Sequence, residues 1–137
     1  MPSNLVIDTG PIVALLDRSE NTHFACIDVL KAWRGNIITT EAVLTEALYL
    51  LNRSTQAQQN CVELVLRKTI LLAPATLDTI ERSSVLMSKY HDVPMDYADA
   101  TLVVLCEELN ITKIFTLDRR GFSVFRMPSN KRFEIVP

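Results

Sequence analysis

Glycine is scarce in this chain, with three in 137 residues, and none falls in a run that could wrap a phosphate as P-loops and dinucleotide-binding turns do. Nucleotide cofactors are thereby disfavoured. Cysteine is equally scarce. Cys26, Cys61 and Cys106 stand far apart inside helical patterns, which fits small core residues in a reducing compartment and not disulfides or a zinc site. The only histidines, His23 and His91, are remote in sequence from the acids discussed below and read as solvated or capping groups. No Ser or Cys occupies a nucleophile elbow. No apolar run approaches a membrane span, and the opening Met1-Pro2-Ser3-Asn4 has no basic region of the kind that precedes a secretory leader. A cytoplasmic protein is expected.

What is present fits one globular unit. Hydrophobic residues make up 48% and charged residues 22% of the chain, a balance that excludes disorder as the default. A chain of this length buries roughly 70% of its unfolded surface, so a single domain over 1–137 is expected. The net charge of −2 argues against tight non-specific nucleic-acid binding by the chain as a whole, but it hides a segregation. Residues 1–110 carry 8 Lys/Arg against 14 Asp/Glu, whereas residues 111–137 carry 6 against 2. A basic tail region of this kind can attract a polyanion to a domain that is acidic elsewhere.

Strand and helix patterns alternate. Leu5–Ile7 reads as a buried strand, followed by a helix opened by Thr9-Gly10-Pro11, with Thr9 as N-cap, and running to about Asp17. A second helix is expected from Asn21 to Gly35, with Phe24, Ile27, Val29, Leu30 and Trp33 on its buried side. Strands at 36–39, 69–73, 113–117 and, as an edge, 133–136 alternate with helices at 40–52, 56–68, 75–91 and 96–109. In the helix over 75–91, Leu77, Ile80, Val85 and Leu86 are the expected inner residues. Arg119-Arg120-Gly121-Phe122 reads as a turn. The simplest architecture is three-layer α/β/α around a mainly parallel sheet of four to five strands.

Against this background several carboxylates stand out. Asp8 and Asp118 each follow an apolar strand, so both emerge at the carboxyl edge of a parallel sheet, where α/β folds bind ligands. Glu46 interrupts a helix that is otherwise almost wholly apolar, and Asp96 and Asp99 lie one turn apart on another. Each acid also has a purely structural explanation: a cap or turn for Asp8, an Asx-turn for Asp118, an N-cap for Asp96. Glu46 and Asp99 resist it, because an acid among apolar neighbours costs several kcal/mol unless paired. The helix over 40–52 holds no base and that over 96–109 none either. Clustered carboxylates without His or Cys suit a hard ion such as Mg²⁺ or Mn²⁺.

Four stretches in order, Val6-Ile7-Asp8-Thr9, Thr45-Glu46-Ala47-Leu48, Asp96-Tyr97-Ala98-Asp99-Ala100-Thr101-Leu102 and Phe115-Thr116-Leu117-Asp118 with Phe122, resemble a PIN domain. The similarity is to the small stand-alone VapC-type toxins and spans nearly the whole chain. The resemblance implies a parallel sheet flanked by helices and an Mg²⁺- or Mn²⁺-dependent endoribonuclease. Asp8, Glu46, Asp99 and Asp118 match the family's four acids, and Asp96 is placed to join them as a further metal ligand. It also implies supporting hydrogen bonds from Thr9 and Thr116, a cognate antitoxin and a homodimer, with no membrane association. Arg119, Arg120 and Arg126, with Lys131 and Arg132, are candidates for contact with the RNA backbone. Two other classes remain: a PIN-like module that binds RNA or protein without catalysis, and an aspartyl-phosphate phosphatase. The latter is disfavoured because its second aspartate would fall at Gly10.

Overall fold

β1 (Ser3–Ile7) passes from an exposed first residue to the fully buried Leu5, Val6 and Ile7, the profile of a strand covered on both faces. Its environment is seen in a computed structural model that describes residues 3–137. Met1 and Pro2, the start of the opening that lacks a basic region, lie outside the described residues. β1 is the middle of five parallel strands in the order β3-β2-β1-β4-β5. Its partners are β2 (Gly35–Thr40) and β4 (Lys113–Phe115), with β3 (Leu71–Ala73) and β5 (Glu134–Val136) at the edges.

Helices make every connection. α1 (Thr9–Leu16) and α2 (His23–Ala32) join β1 to β2, and α3 (Glu41–Leu50) and α4 (Thr55–Leu66) join β2 to β3. α5 (Leu77–Lys89) and α6 (Tyr97–Leu109) carry the chain back across to β4, and α7 (Arg119–Val124) leads to β5. α1 packs on α2, α3 and α4, whereas α6 lies along α5 and crosses β1 and β2. The result is the three-layer α/β/α fold expected, with the sheet wholly parallel. The direction of the connections reverses between β1 and β4, and a crevice at the carboxyl ends of the strands forms at such a reversal. Asp8 and Asp118 flank that point.

Close packing accounts for one glycine. Gly35 has φ of +151°, and a Cβ there would collide with the Ser3 carbonyl, its partner in the β1–β2 register.

The structure corrects several sequence expectations. Residues 119–124 form a helix, α7, not a turn: Phe122 and Phe125 are fully buried and pack edge-on 5.2 Å apart, with Phe133 against Phe122. In α2 the buried residues are His23 and Cys26, while Phe24 is 71% exposed. Its N-cap is Thr22 rather than Asn21, without a side-chain cap bond. His23 is therefore not solvated; its Nδ1 lies 2.6 Å from the Ala14 carbonyl oxygen and ties α2 to α1. In α5 only Leu86 of the expected inner set is buried, together with Ser83, whereas Leu77, Ile80 and Val85 are exposed. The physical reason is shared. Each helix covers little of the sheet itself and needs only a narrow inward stripe, so its remaining apolar residues face outward. The three cysteines are free and buried, and burial pushes the Cys106 thiol up to about 12.

Candidate active site

Four acids of the carboxyl edge are positioned by backbone N–H groups at helix starts, where unpaired donors and the helix dipole both favour a negative group. Asp8 is the N-cap of α1 and accepts the Thr9 N–H at Oδ1, 2.7 Å. The expectation that Thr9 caps this helix is thus corrected: the extended backbone of Asp8 leaves its own carboxylate nearest the first free N–H. Asp96 is the N-cap of α6 and accepts the Asp99 N–H at 2.8 Å, while Asp99 accepts the Asp96 N–H at 3.2 Å. This reciprocal capping box fixes both carboxyl groups against the first turn of α6. Asp118 caps α7 by accepting the Gly121 N–H at 3.0 Å. A Cβ on Gly121 would approach Asp118 Oδ2 to 2.5 Å, so the cap requires glycine.

One hydroxyl links the two central strands' ends. Thr116 Oγ1 donates to Asp8 Oδ2 at 2.7 Å and accepts the Asp118 N–H at 3.0 Å. The Asp8 N–H itself donates to the Phe115 carbonyl. On the other side Thr39 Oγ1 donates to the Ile7 carbonyl at 2.7 Å. Thr39 escaped the sequence reading, and a buried threonine beside a strand end is the signal that could have found it. Thr9, which is 4% exposed, directs its hydroxyl to no partner, the single buried side-chain polar atom so left among the described residues.

Asp8 is 6% exposed, and exclusion of water pushes its carboxyl up to about 6. The hydrogen bonds from Thr116 and Thr9 oppose that rise, and the charges of Glu46 and Asp96 add to it. Asp99, half-buried, is pushed up to about 8, first by desolvation and then by Asp96 and Asp8, with a further contribution from Asp118. The acids of α1, α3, α6 and α7 therefore act on one another across the crevice. No Lys or Arg forms an ion pair with any of them among the described residues. Neither do three His, Cys, Asp or Glu side chains among the described residues stand close enough together to cage an ion by themselves.

The basic residues after Asp118 fare unequally. The Arg126 guanidinium donates to the Ser123, Val124 and Phe125 carbonyls and so closes the end of α7. Arg119 donates to the Pro137 carbonyl. Arg120, exposed, makes no side-chain hydrogen bond or ion pair among the described residues, while Lys131 reaches Asn110 at 3.1 Å.

Comparison with known proteins bears on the family and the fold. The chain matches the PIN domain family over residues 5–126. It is 30% identical to Ribonuclease VapC26 of Mycobacterium tuberculosis, over 97% of this chain and all of that protein. Its fold is similar to the crystal structure of Mycobacterium tuberculosis VapC20, a sarcin–ricin loop cleaving toxin, with a TM-score of 0.83 at 18% identity over 97% of this chain and 99% of that one. It also resembles VapBC2 from Rickettsia felis bound to a promoter DNA fragment, with a TM-score of 0.68 at 14% identity over 98% and 100% of the two chains. A third likeness is to a toxin–antitoxin complex from Klebsiella pneumoniae, with a TM-score of 0.69 at 18% identity over 97% and 96%. With its ordered acids, its parallel sheet and a relative matched end to end, the chain belongs to the PIN domain family, in its VapC-type branch.

Proposed function

We propose that this protein is a divalent-metal endoribonuclease, the toxin of a VapBC-type toxin–antitoxin pair, acting in the cytoplasm. The observation that carries the reading is the convergence of acids on Asp8 and Asp99 with no basic side chain to offset them, a costly arrangement unless a cation is part of it. The donor set is all carboxylate, which fits Mg²⁺ or Mn²⁺, ions that keep several waters and need few protein ligands. Among Asp8, Glu46, Asp99 and Asp118, one or two would hold the ion directly and the others, with Asp96 at the rim, through its coordinated waters. When bound, such an ion lowers the pKa of a coordinated water and neutralises charge developing on the phosphate.

The chain's own residues supply orientation. Thr116 and the Thr9 N–H hold Asp8 in one rotamer, each on a separate oxygen. Asp118, exposed and tethered by Gly121, is placed to orient the attacking water. Arg120, which has no side-chain partner among the described residues, and Arg119, on leaving the Pro137 carbonyl, are the proposed contacts for the RNA backbone. Phe24, Tyr49, Leu50 and Leu66 are large apolar side chains left exposed on α2, α3 and α4 and are open to a partner. An antitoxin segment and a second copy of the chain are the proposed occupants of its apolar surfaces. No helix among the described residues is long and apolar enough to cross a membrane.

The test is cleavage of structured RNA by the purified chain with Mg²⁺ or Mn²⁺ and with EDTA, alongside Asp8→Asn and Asp99→Asn. Cleavage that needs the ion and both aspartates supports the proposal. Unchanged cleavage by both variants overturns it. Calorimetric titration with Mn²⁺ near neutral pH separates it from a non-catalytic binding module, for which no uptake of the ion is expected.

A further inference from the structure

Beside the acid cluster lies a cavity of about 230 Å³ that the reaction chemistry does not use. It opens between α3, α6 and the segment joining β3 to α5, with Ala42, Val104 and Leu105 among its apolar walls. Tyr97 on its wall directly follows Asp96, and Thr45 directly precedes Glu46. At 100° per residue, Tyr97, Thr101 and Val104 occupy the side of α6 opposite Asp99. The cavity therefore runs along one side of α6, from Tyr97 to Glu108, with Asp99 on the other side, and the two come nearest in sequence at the helix start, where Asp96 adjoins Tyr97.

Most polar groups lining it are already engaged. Thr45 Oγ1 donates to the Glu41 carbonyl, Thr79 Oγ1 to the Thr76 carbonyl and Thr101 Oγ1 to the Ala98 carbonyl, while Thr40 and Thr101 share a hydroxyl contact of 2.8 Å. Glu108 is paired with Arg82 at 3.2 Å. What remains is the Glu41 carboxylate and the Tyr97 ring and hydroxyl, which make no side-chain hydrogen bond or ion pair among the described residues. The lining contains no Lys or Arg, so the cavity repels phosphate and accepts hydrogen-bond donors.

We infer that this cavity is a subsite for a guanine base of the RNA, one that flanks the scissile phosphate; the inference rests on the ribonuclease reading above. Guanine is the standard base whose Watson–Crick edge presents two adjacent donors, N1–H and the N2 amino group, and a carboxylate accepts such a pair with both oxygens. Adenine and cytosine present one amino donor there and uracil one imino donor. The Tyr97 ring, partly exposed at the mouth, offers the stacking surface on which proteins hold unpaired bases. A volume of this size takes one base, whose ribose phosphate stays outside it. The acids then set the chemistry, and Glu41 and Tyr97 set which nucleotide lies next to the cut.

The experiment compares short single-stranded RNAs that differ only in carrying guanosine, inosine or adenosine at the flanking position. Inosine keeps N1–H and lacks the N2 amino group. The wild-type chain is expected to favour guanosine over inosine by about tenfold in kcat/KM, in line with one bidentate base contact. The same preference is expected in fluorescence-anisotropy binding with EDTA present, where no cleavage occurs. Glu41→Gln and Ala42→Leu, which fills the cavity, should each bring the ratio towards one. Equal binding and cleavage of the three RNAs overturns the inference, as does a guanosine preference that both variants retain. Loss of self-association in Ala42→Leu with base preference intact would assign the cavity to a second copy and likewise overturn it. Failure of the metal-loaded protein to cut any RNA would remove the nuclease reading, while the metal-free binding preference still decides the subsite.

Discussion

Asp8 and Asp99 are two ways of keeping a carboxyl group at one crevice, and the less buried of the two is the more perturbed. Asp8 is almost sealed from solvent, yet its rise stops at about 6 because Thr116 and the Thr9 N–H stabilise the ionised form. Asp99 is half-buried and rises to about 8, because the charges of Asp96, Asp8 and Asp118 add to its desolvation while a single backbone N–H opposes them. Burial alone thus does not set the state of a site. Hydrogen bonds hold back the rise at Asp8, whereas at Asp99 desolvation and then like charges raise the carboxyl with one backbone N–H to oppose them.

The largest effect that would break this contrast is on cleavage. Asp8→Asn or Asp99→Asn should each reduce metal-dependent RNA cleavage below detection, read by gel with both proteins shown folded by circular dichroism. Next, Thr116→Val removes the donor that orients Asp8 without altering the acids. A drop of about 10–100-fold in cleavage or Mn²⁺ affinity is expected, as for other groups that orient metal ligands, together with a further rise in the Asp8 pKa seen by carboxyl NMR titration. A drop of that size with an unmoved Asp8 pKa would show that Thr116 acts otherwise.

Stability changes should be smaller and depend on pH. Both carboxyls titrate higher in the folded chain than in the unfolded one, so the folded state binds more protons. The contribution to stability is full below about pH 4 and is lost as pH rises through the folded values of about 6 and about 8. Chemical denaturation of the metal-free protein should therefore show falling stability from pH 5 to pH 8, and Mn²⁺ should restore it at the upper end. Asp8→Asn should flatten the lower part of that slope and stabilise the metal-free protein by about 2 kcal/mol at pH 8. A stability that rises across this range would refute the assignment. The smallest effect expected is that of Arg120→Ala, which should lower the dependence of log Kd for RNA on log salt by about one unit, with Arg126→Ala acting instead on melting temperature.

Strand ends and acids were readable from sequence because each rests on local chemistry: an apolar run of Leu5–Ile7 broken by Asp8 is conspicuous in any context. The Asp96 cap followed from its place before a helical run. Caps of similar chemistry were harder to apportion. Asp8 and Thr9 are both good N-caps, and only the backbone angles decide that Asp8 takes the role. The faces of α2 and α5 were misjudged because their apolar residues run nearly all round, so periodicity did not distinguish Phe24 from Cys26 or Val85 from Ser83. α7 was hidden by its length and by Gly121, and its helical state depends on tertiary burial of Phe122 and Phe125. The spacing of Asp118 before Gly121 was a signal available in the sequence. The effect of Glu46 and Asp96 on Asp8 depends on how α1, α3 and α6 are brought together, which no local pattern encodes.

The Thr116 hydroxyl joins residues separated by 108 positions, and this has a consequence for the timing of synthesis. A nascent chain emerges amino end first and carries Asp8 and Glu46 well before β4 and Thr116 leave the ribosome. Until then β1 lacks its central neighbour, and the carboxylate at its end lacks the donor that aims it. Bringing such distant segments together is also the slow part of folding. The acid cluster is thus completed late, after nearly all of the chain, including helices α2 to α4 with their exposed apolar residues, has been made.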